Sequence, residues 1–175
     1  VPTSVNPAEL CINGMSFSQR QSKWANSALV VTVRPEDMVS EAGEWASDYP
    51  LRGVLWQEHF ERVAAHMGGG ELVAPVQRVT DFLTGEVSVP DIDTGKFSSS
   101  YRMGTKAAPL HTLYPPFVTA AIREALQKFN QRMPGFVCPE AILHGVETRT
   151  SAPVQITRNR KTYECETMAG LFPAG

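Results

Sequence analysis

Glu147, Arg149, Thr150 and Ser151 form the densest run of chemically capable side chains in this sequence, with apolar residues on both flanks. In an extended segment alternate residues share a face, which would bring Glu147, Arg149 and Ser151 together. A guanidinium beside hydroxyls is a donor set for an anion or a carbonyl-bearing ligand. The same pattern also describes a solvated sheet face carrying an exposed ion pair, and residue period alone leaves both readings open. A second polar stretch, Asn13-Gly14-Met15-Ser16, contains an Asn-Gly pair, so a turn is expected there.

Other chemistry-bearing patterns are weaker. Gly14-Met15-Ser16-Phe17-Ser18 misses the second glycine of a G-x-S-x-G nucleophile turn, and no strong strand precedes it. Gly68-Gly69-Gly70 follows a helical pattern instead of opening one, so it reads as a helix stop, not a phosphate loop. The four histidines, at 59, 66, 111 and 144, form no H-E-x-x-H pair, and no metal site is expected. Cys11, Cys138 and Cys165 are odd in number and far apart, which fits buried thiols better than zinc ligands or a disulfide framework.

The elements that must position these residues are a mixture of helix and strand. Ser27–Val33 is β-branched and almost wholly apolar, so a buried strand is expected, ended by Pro35. Positions 38–52 read as a surface loop. Leu55, Trp56, Phe60, Val63, Ala64 and Met67 fall on one face of a helix over 53–67, with Glu58, Glu61 and Arg62 on the polar side. Glu71–Pro75 is expected to be extended, and apolar residues at 76, 79, 82 and 83 suit a short helix. Residues 84–105 read as a long loop. A second long helix starts at Pro115-Pro116, carries an apolar stripe from Phe117 to Phe129, and stops at Met133-Pro134-Gly135. Residues 141–149 and 152–156 are expected as strands, Arg158–Lys161 as a charged turn, Thr162–Cys165 as a return strand, and Leu171-Phe172 as a buried strand end.

Composition bounds the function. At 175 residues the chain has room for a hydrophobic core, and 42% hydrophobic with 19% charged residues fits a globular fold. A net charge of −2 gives no footprint for nucleic acid. No apolar run approaches the ~18 residues of a membrane span. No leader peptide is visible.

Several collinear stretches together resemble one family. They are Glu9–Ser18, Ser22–Val33, Ala74–Leu83, Tyr101–Lys106, Leu113–Val118, Leu143–Ile156 and Gly170–Gly175. The chain is similar to FAD-dependent dehydrogenases (FAD/NAD(P)-binding oxidoreductases), in particular their plant and algal plastid branch. The resemblance implies an α/β fold, mixed α+β within this stretch: part of a Rossmann-like FAD-binding domain plus an inserted substrate or cap domain. Residues 1–34 would end one FAD-domain segment, 35–139 would be the insert, and 140–175 would return into the FAD domain.

It further implies an internal fragment whose N- and C-terminal parts act as its partners, since no G-x-G-x-x-G loop is present. By itself the fragment is expected to be inactive and to hold FAD poorly. Asn13, Gly14, Met15 and Ser16 would form a loop at the flavin ring, faced by Arg149, Thr150, Ser151 and Pro153. Pro173, Ala174 and Gly175 would begin a further FAD contact. The family pattern has Ser where this chain has Ala152, which removes one hydroxyl donor. The implied function is oxidation or reduction of a small molecule, with NAD(P) as a possible electron donor or acceptor and a chloroplast location. A different class of function, a non-catalytic recognition or protein-interaction module, is suggested by the two amphipathic helices and the missing cofactor loop.

Overall fold

A computed structural model of the chain describes residues 2–4, 6–14, 18–38, 49–90, 97–150, 152 and 154–174. They divide into two compact units, Val1–Val33 with Glu58–Thr148, and Arg34–Gln57 with Arg149–Gly175.

The first unit is a small mixed α/β body built on a three-stranded sheet. Its strands are β1 (Ala74–Arg78), β2 (Thr105–Ala107) and β3 (Ile142–His144), in the order β2-β1-β3. β1 runs parallel to β2, with Ala74 opposite Thr105, and antiparallel to β3, with Val76 opposite His144. As the middle strand, β1 is buried along almost its whole length. A proline in such a strand normally breaks the ladder. Here Pro75 contributes its carbonyl, which accepts from Gly145 N at 2.9 Å, while Ala74 N donates to Gly104 O at 3.0 Å. The helix expected from residue 76 therefore begins later. Residues 76–78 are held in β1 by neighbours on both sides, and α2 occupies only Val79–Thr84.

The two long helices are α1 (Arg52–Gly68) and α3 (Pro116–Arg132), close to the spans their periodicity predicts. Pro116 opens α3 where its missing N–H costs nothing. At the end of α1, Gly69 and Gly70 take φ of 89° and 85°, and both donate back to Ala65 O. Glu71 and Leu72 continue with positive φ, an unusual conformation for a bulky side chain, and Tyr101 Oη donates to Leu72 O at 2.6 Å. The core gathers Leu10, Ala64, Val76, Phe82, Leu110 and Leu126 around this frame.

Several expected strands do not form. Ser27–Val33 enters no ladder, and Val30 is 65% exposed, because nothing among the described residues pairs with it. Gly145–Arg149 and residues 154–157 lie outside the sheet, and β3 ends at His144. In the second unit, the Thr162–Cys165 return narrows to one bridge between Arg158 and Cys165. The turn between them is built by Asn159, whose side-chain oxygen accepts from Lys161 N and Thr162 N. Leu171 and Phe172 are exposed, not buried. The Leu171 carbonyl accepts from Cys165 N, so backbone pairing rather than side-chain burial places this segment. Most of the expected 38–52 loop lies outside the described residues, and the described parts of 85–104 hold no helix or strand.

Gly68 is needed for space rather than for its φ. A Cβ there would stand 2.0 Å from the Val73 carbonyl oxygen, whereas at Gly70 it would meet nothing within 4 Å. Gly68→Ala should cost at least about 2 kcal/mol through overpacking. Gly70→Ala should cost about 1 kcal/mol, the left-handed penalty alone. Urea unfolding of the two variants checks the difference.

Candidate functional site

The site begins with two stretches far apart in sequence. Leu10-Cys11-Ile12 is anchored through Leu10 N to the Glu61 carbonyl of α1 at 3.0 Å, and through Ile12 N to the Val146 carbonyl at 2.8 Å. Thr3 closes its other edge, its backbone N donating to Cys11 O at 2.7 Å and its hydroxyl to the same oxygen at 3.0 Å. Ser4 Oγ accepts from Cys11 N at 2.8 Å. These bonds deliver Asn13 and Gly14 beside Glu147 and Thr148.

On the outer side, Asn13 Nδ2 donates to Glu147 Oε1 at 3.5 Å, a long and weak bond. A Cβ added at Gly14 would lie 3.1 Å from Asn26 Oδ1, so the Asn26 carboxamide packs directly against the glycine backbone. Gly14 does not take a positive φ, and the turn expected at Asn13-Gly14 does not form there. The close approach of Asn26 gives glycine its use at this position. Asn13 and Gly14 are exposed and Glu147 is half-buried. Two carboxamides and a carboxylate thus face solvent together.

Below them lies an interior polar cluster that sequence reading places wrongly. Glu61, expected on the polar face of α1, is fully buried. Thr148 Oγ1 donates to Glu61 Oε1 and also lies 3.7 Å from Cys11 Sγ. The Phe60 and Tyr114 rings pack with centroids 4.8 Å apart. Burial, with the Cys11 and Glu61 charges adding to it, pushes the Tyr114 phenol well above its ordinary value. The signal for Glu61 was present in α1: Ala65 and Gly68, small residues at i+4 and i+7, share its side of the helix. Their size lets the chain approach closely there, so the carboxylate is enclosed. Outside this cluster, Arg62 reaches Glu58 at 3.7 Å and Glu9 at 3.9 Å.

Arg149 and Thr150 follow Thr148 directly, open the C-terminal part of the second unit, and are exposed. Pro173, half-buried in that unit, has its carbonyl bound by the Arg158 guanidinium, and Ala174 is exposed. Met15, Ser16, Ser151, Pro153 and Gly175 lie outside the described residues. So the Cys11–Asn13 stretch meets the first residues of the Gly145–Ile156 run, Cys11 at Thr148, Ile12 at Val146 and Asn13 at Glu147. Of the alternating face expected for Glu147, Arg149 and Ser151, the first two lie in no ladder strand, since β3 has already ended, and Ser151 lies outside the described residues.

His111 and His144 have hydrogen-bonding roles. His144 Nε2 is 2.8 Å from Ser99 Oγ, and burial holds the ring below its usual pKa. His111 Nδ1 is 2.8 Å from Nε2 of the fully buried Gln77, whose oxygen accepts from His111 N at 3.1 Å. Cys11 and Cys165 are buried free thiols and Cys138 is partly buried.

Fold and site define a small mixed α/β domain with a polar loop docked on a returning segment. Residues 1–150 match the family described as FAD-dependent protein, C-terminal domain-like, and the chain belongs to that family. It is 39% identical over all 175 residues to an uncharacterised protein of Clostridium beijerinckii, and spans 31% of that relative's length. No helix among the described residues is long and apolar enough to cross a membrane.

Of an FAD, the flavin ring's polar edge is the part with which the Asn13 carboxamide is chemically compatible. The polar edge of a flavin ring alternates carbonyl acceptors with an N–H donor, and a carboxamide such as Asn13 offers both complements. A pyrophosphate needs a glycine-rich turn opening a helix, and the sequence contains none.

Two outcomes follow from the buried cluster. Thr148→Val removes a donor from the Glu61 carboxyl and should lower stability by about 1–3 kcal/mol, read as a shift in the urea midpoint. The raised phenols set an alkaline limit. Tyr114 is raised well above the ordinary phenol value of 10.0 and Tyr101 is pushed up to about 12, both chiefly by burial. The unfolded chain therefore loses these protons first as pH rises. Their contribution is complete below pH 10.0 and is lost as pH rises through the folded-state values. Tyr114→Phe should flatten that alkaline fall in urea midpoint.

Proposed function

We propose that these residues are part of an FAD-dependent oxidoreductase and that they serve the flavin end of its cofactor. The observation that carries the reading is the docking of Leu10–Ile12 on Val146, which sets Asn13 beside Glu147 in a chain of an FAD-dependent family. The flavin, when bound, supplies the electron transfer. The chain's own residues bind and orient it. Asn13, Gly14, Met15 and Ser16 contact the ring, and Arg149, Thr150, Ser151 and Pro153 form the other flavin-side stretch. Pro173, Ala174 and Gly175 begin a further contact. The Asn13 carboxamide matches the polar ring edge, and the Arg149 guanidinium balances negative charge there or anchors an anionic substrate.

The finer reading follows the resemblance. Residues 1–34 and 140–175 belong to a Rossmann-like FAD-binding domain, and 35–139 form an inserted substrate or cap domain. The pyrophosphate is held by residues outside these 175. The reaction is dehydrogenation or reduction of a small molecule with NAD(P) as electron partner, in a plastid-branch member of the family acting in the chloroplast.

The experiment is to purify the whole natural polypeptide and record its visible absorbance before and after incubation with FAD. A flavin spectrum that stays with the folded protein is expected. Arg149→Ala and Asn13→Ala should each weaken FAD binding by roughly tenfold or more, the effect of losing a hydrogen bond of about 1.5 kcal/mol. A folded preparation that takes up no FAD overturns the proposal.

A further inference from the structure

Ala28–Val33 has a strand's composition and a strand's alternation without a strand's partner. Leu29, Val31 and Val33 are half-buried, while Ala28, Val30 and Thr32 are exposed. Among the described residues, none of its backbone N–H or C=O groups makes a protein hydrogen bond. Natural proteins protect a free edge with charges, proline, a bulge or a covering element. Ser27-Ala-Leu-Val-Val-Thr-Val33 contains no charge, no proline and no glycine, so it carries none of the residue-level protections. Such a segment left open is an aggregation hazard. Beside it lies a cleft of ≈ 290 Å³, walled by residues 28–32 on one side and by Ala121, Ile122, Ala125 and Phe129 of α3 on the other.

We infer that Ala28–Val33 is a strand paired along one edge with a β-strand from the part of the same polypeptide outside residues 1–175, whose apolar face fills the cleft against α3. This rests on reading the 175 residues as a piece of a longer FAD-dependent protein. Two features select the occupant. A row of unpaired N–H and C=O groups is matched by another extended backbone, whereas a helix satisfies its own bonds and leaves the row unpaired. Most of the length of the Clostridium relative lies outside the matched stretch, so a partner strand in the same chain is available. An intramolecular partner acts at high effective concentration, which a second copy of the chain does not.

Hydrogen exchange on the whole natural polypeptide, at two protein concentrations, tests the inference. Alternate amides of residues 28–33, those on the edge facing the partner strand, should be protected on the order of 100-fold beyond an exposed loop, equally at both concentrations. Val31→Pro should remove protection from this strand and from one segment outside residues 1–175, while Val31→Ala, which keeps the amide, preserves both. Unprotected amides in the wild-type protein overturn the inference. So does protection that rises with concentration, which indicates a second copy, or a partner segment found within residues 1–175. Flavin absorbance on the same samples separates the two proposals. Protection without flavin removes only the cofactor reading, and flavin without protection removes only this one.

Discussion

The Glu61 carboxyl is the constraint on which the candidate site depends. A buried carboxyl is costly unless donors reach it. Thr148 supplies one, and Thr148 can do so only if the chain beyond β3 returns to α1. The backbone carbonyl of Glu61 itself holds Leu10 N. One position of α1 therefore binds both the N-terminal segment and the returning one, by main chain and by side chain. The Ile12–Val146 bond then fixes their register, and Asn13 meets Glu147 as a consequence.

That return depends in turn on the middle strand. β1 has neighbours on both edges, and its buried polar residue, Gln77, is satisfied by Glu86 O and by both backbone and ring of His111. A half-satisfied amide in this place would penalise the fold. Because it is satisfied, β1 tolerates Gln77, and even Pro75, whose carbonyl catches Gly145 N as β3 ends. At Gly145 a Cβ would approach Leu110 Cδ2 to 2.8 Å. The absence of a side chain lets the chain turn there from the sheet toward Ile12.

The long helices were legible because their signals are local. The apolar stripes of α1 and α3, the Pro116 start and the Gly69-Gly70 stop need no knowledge of the rest of the fold. The short strands were not legible. Val76 fits the helical spacing of Val79 and Phe82 as well as it fits burial in a central strand, and only its pairing to β2 and β3 decides between them. Thr105–Ala107 carries too short a pattern to register. Glu61 was misplaced because its burial follows from the small residues beside it and from Thr148, eighty-seven positions away. The Asn13-Gly14 pair is legible in the sequence as a polar stretch, and in the structure Asn13 bonds to Glu147, two residues before Arg149. The supporting cluster of Cys11, Glu61, Tyr114 and Thr148 is not legible, since no spacing rule links four residues on four segments.

Ser27–Val33 shows a different kind of mismatch. The sequence specifies a buried strand through its β-branched, uncharged composition, and the described residues provide no ladder for it. When local preference and tertiary surroundings disagree, strain or a missing neighbour is implied. No residue of this stretch has a positive φ, so strain is not the explanation. The half-buried side of the stretch already rests near α3, and what it lacks is the lateral partner that a sheet supplies. Composition, exposure and unpaired backbone thus agree on the same deficit, which one additional strand would remove.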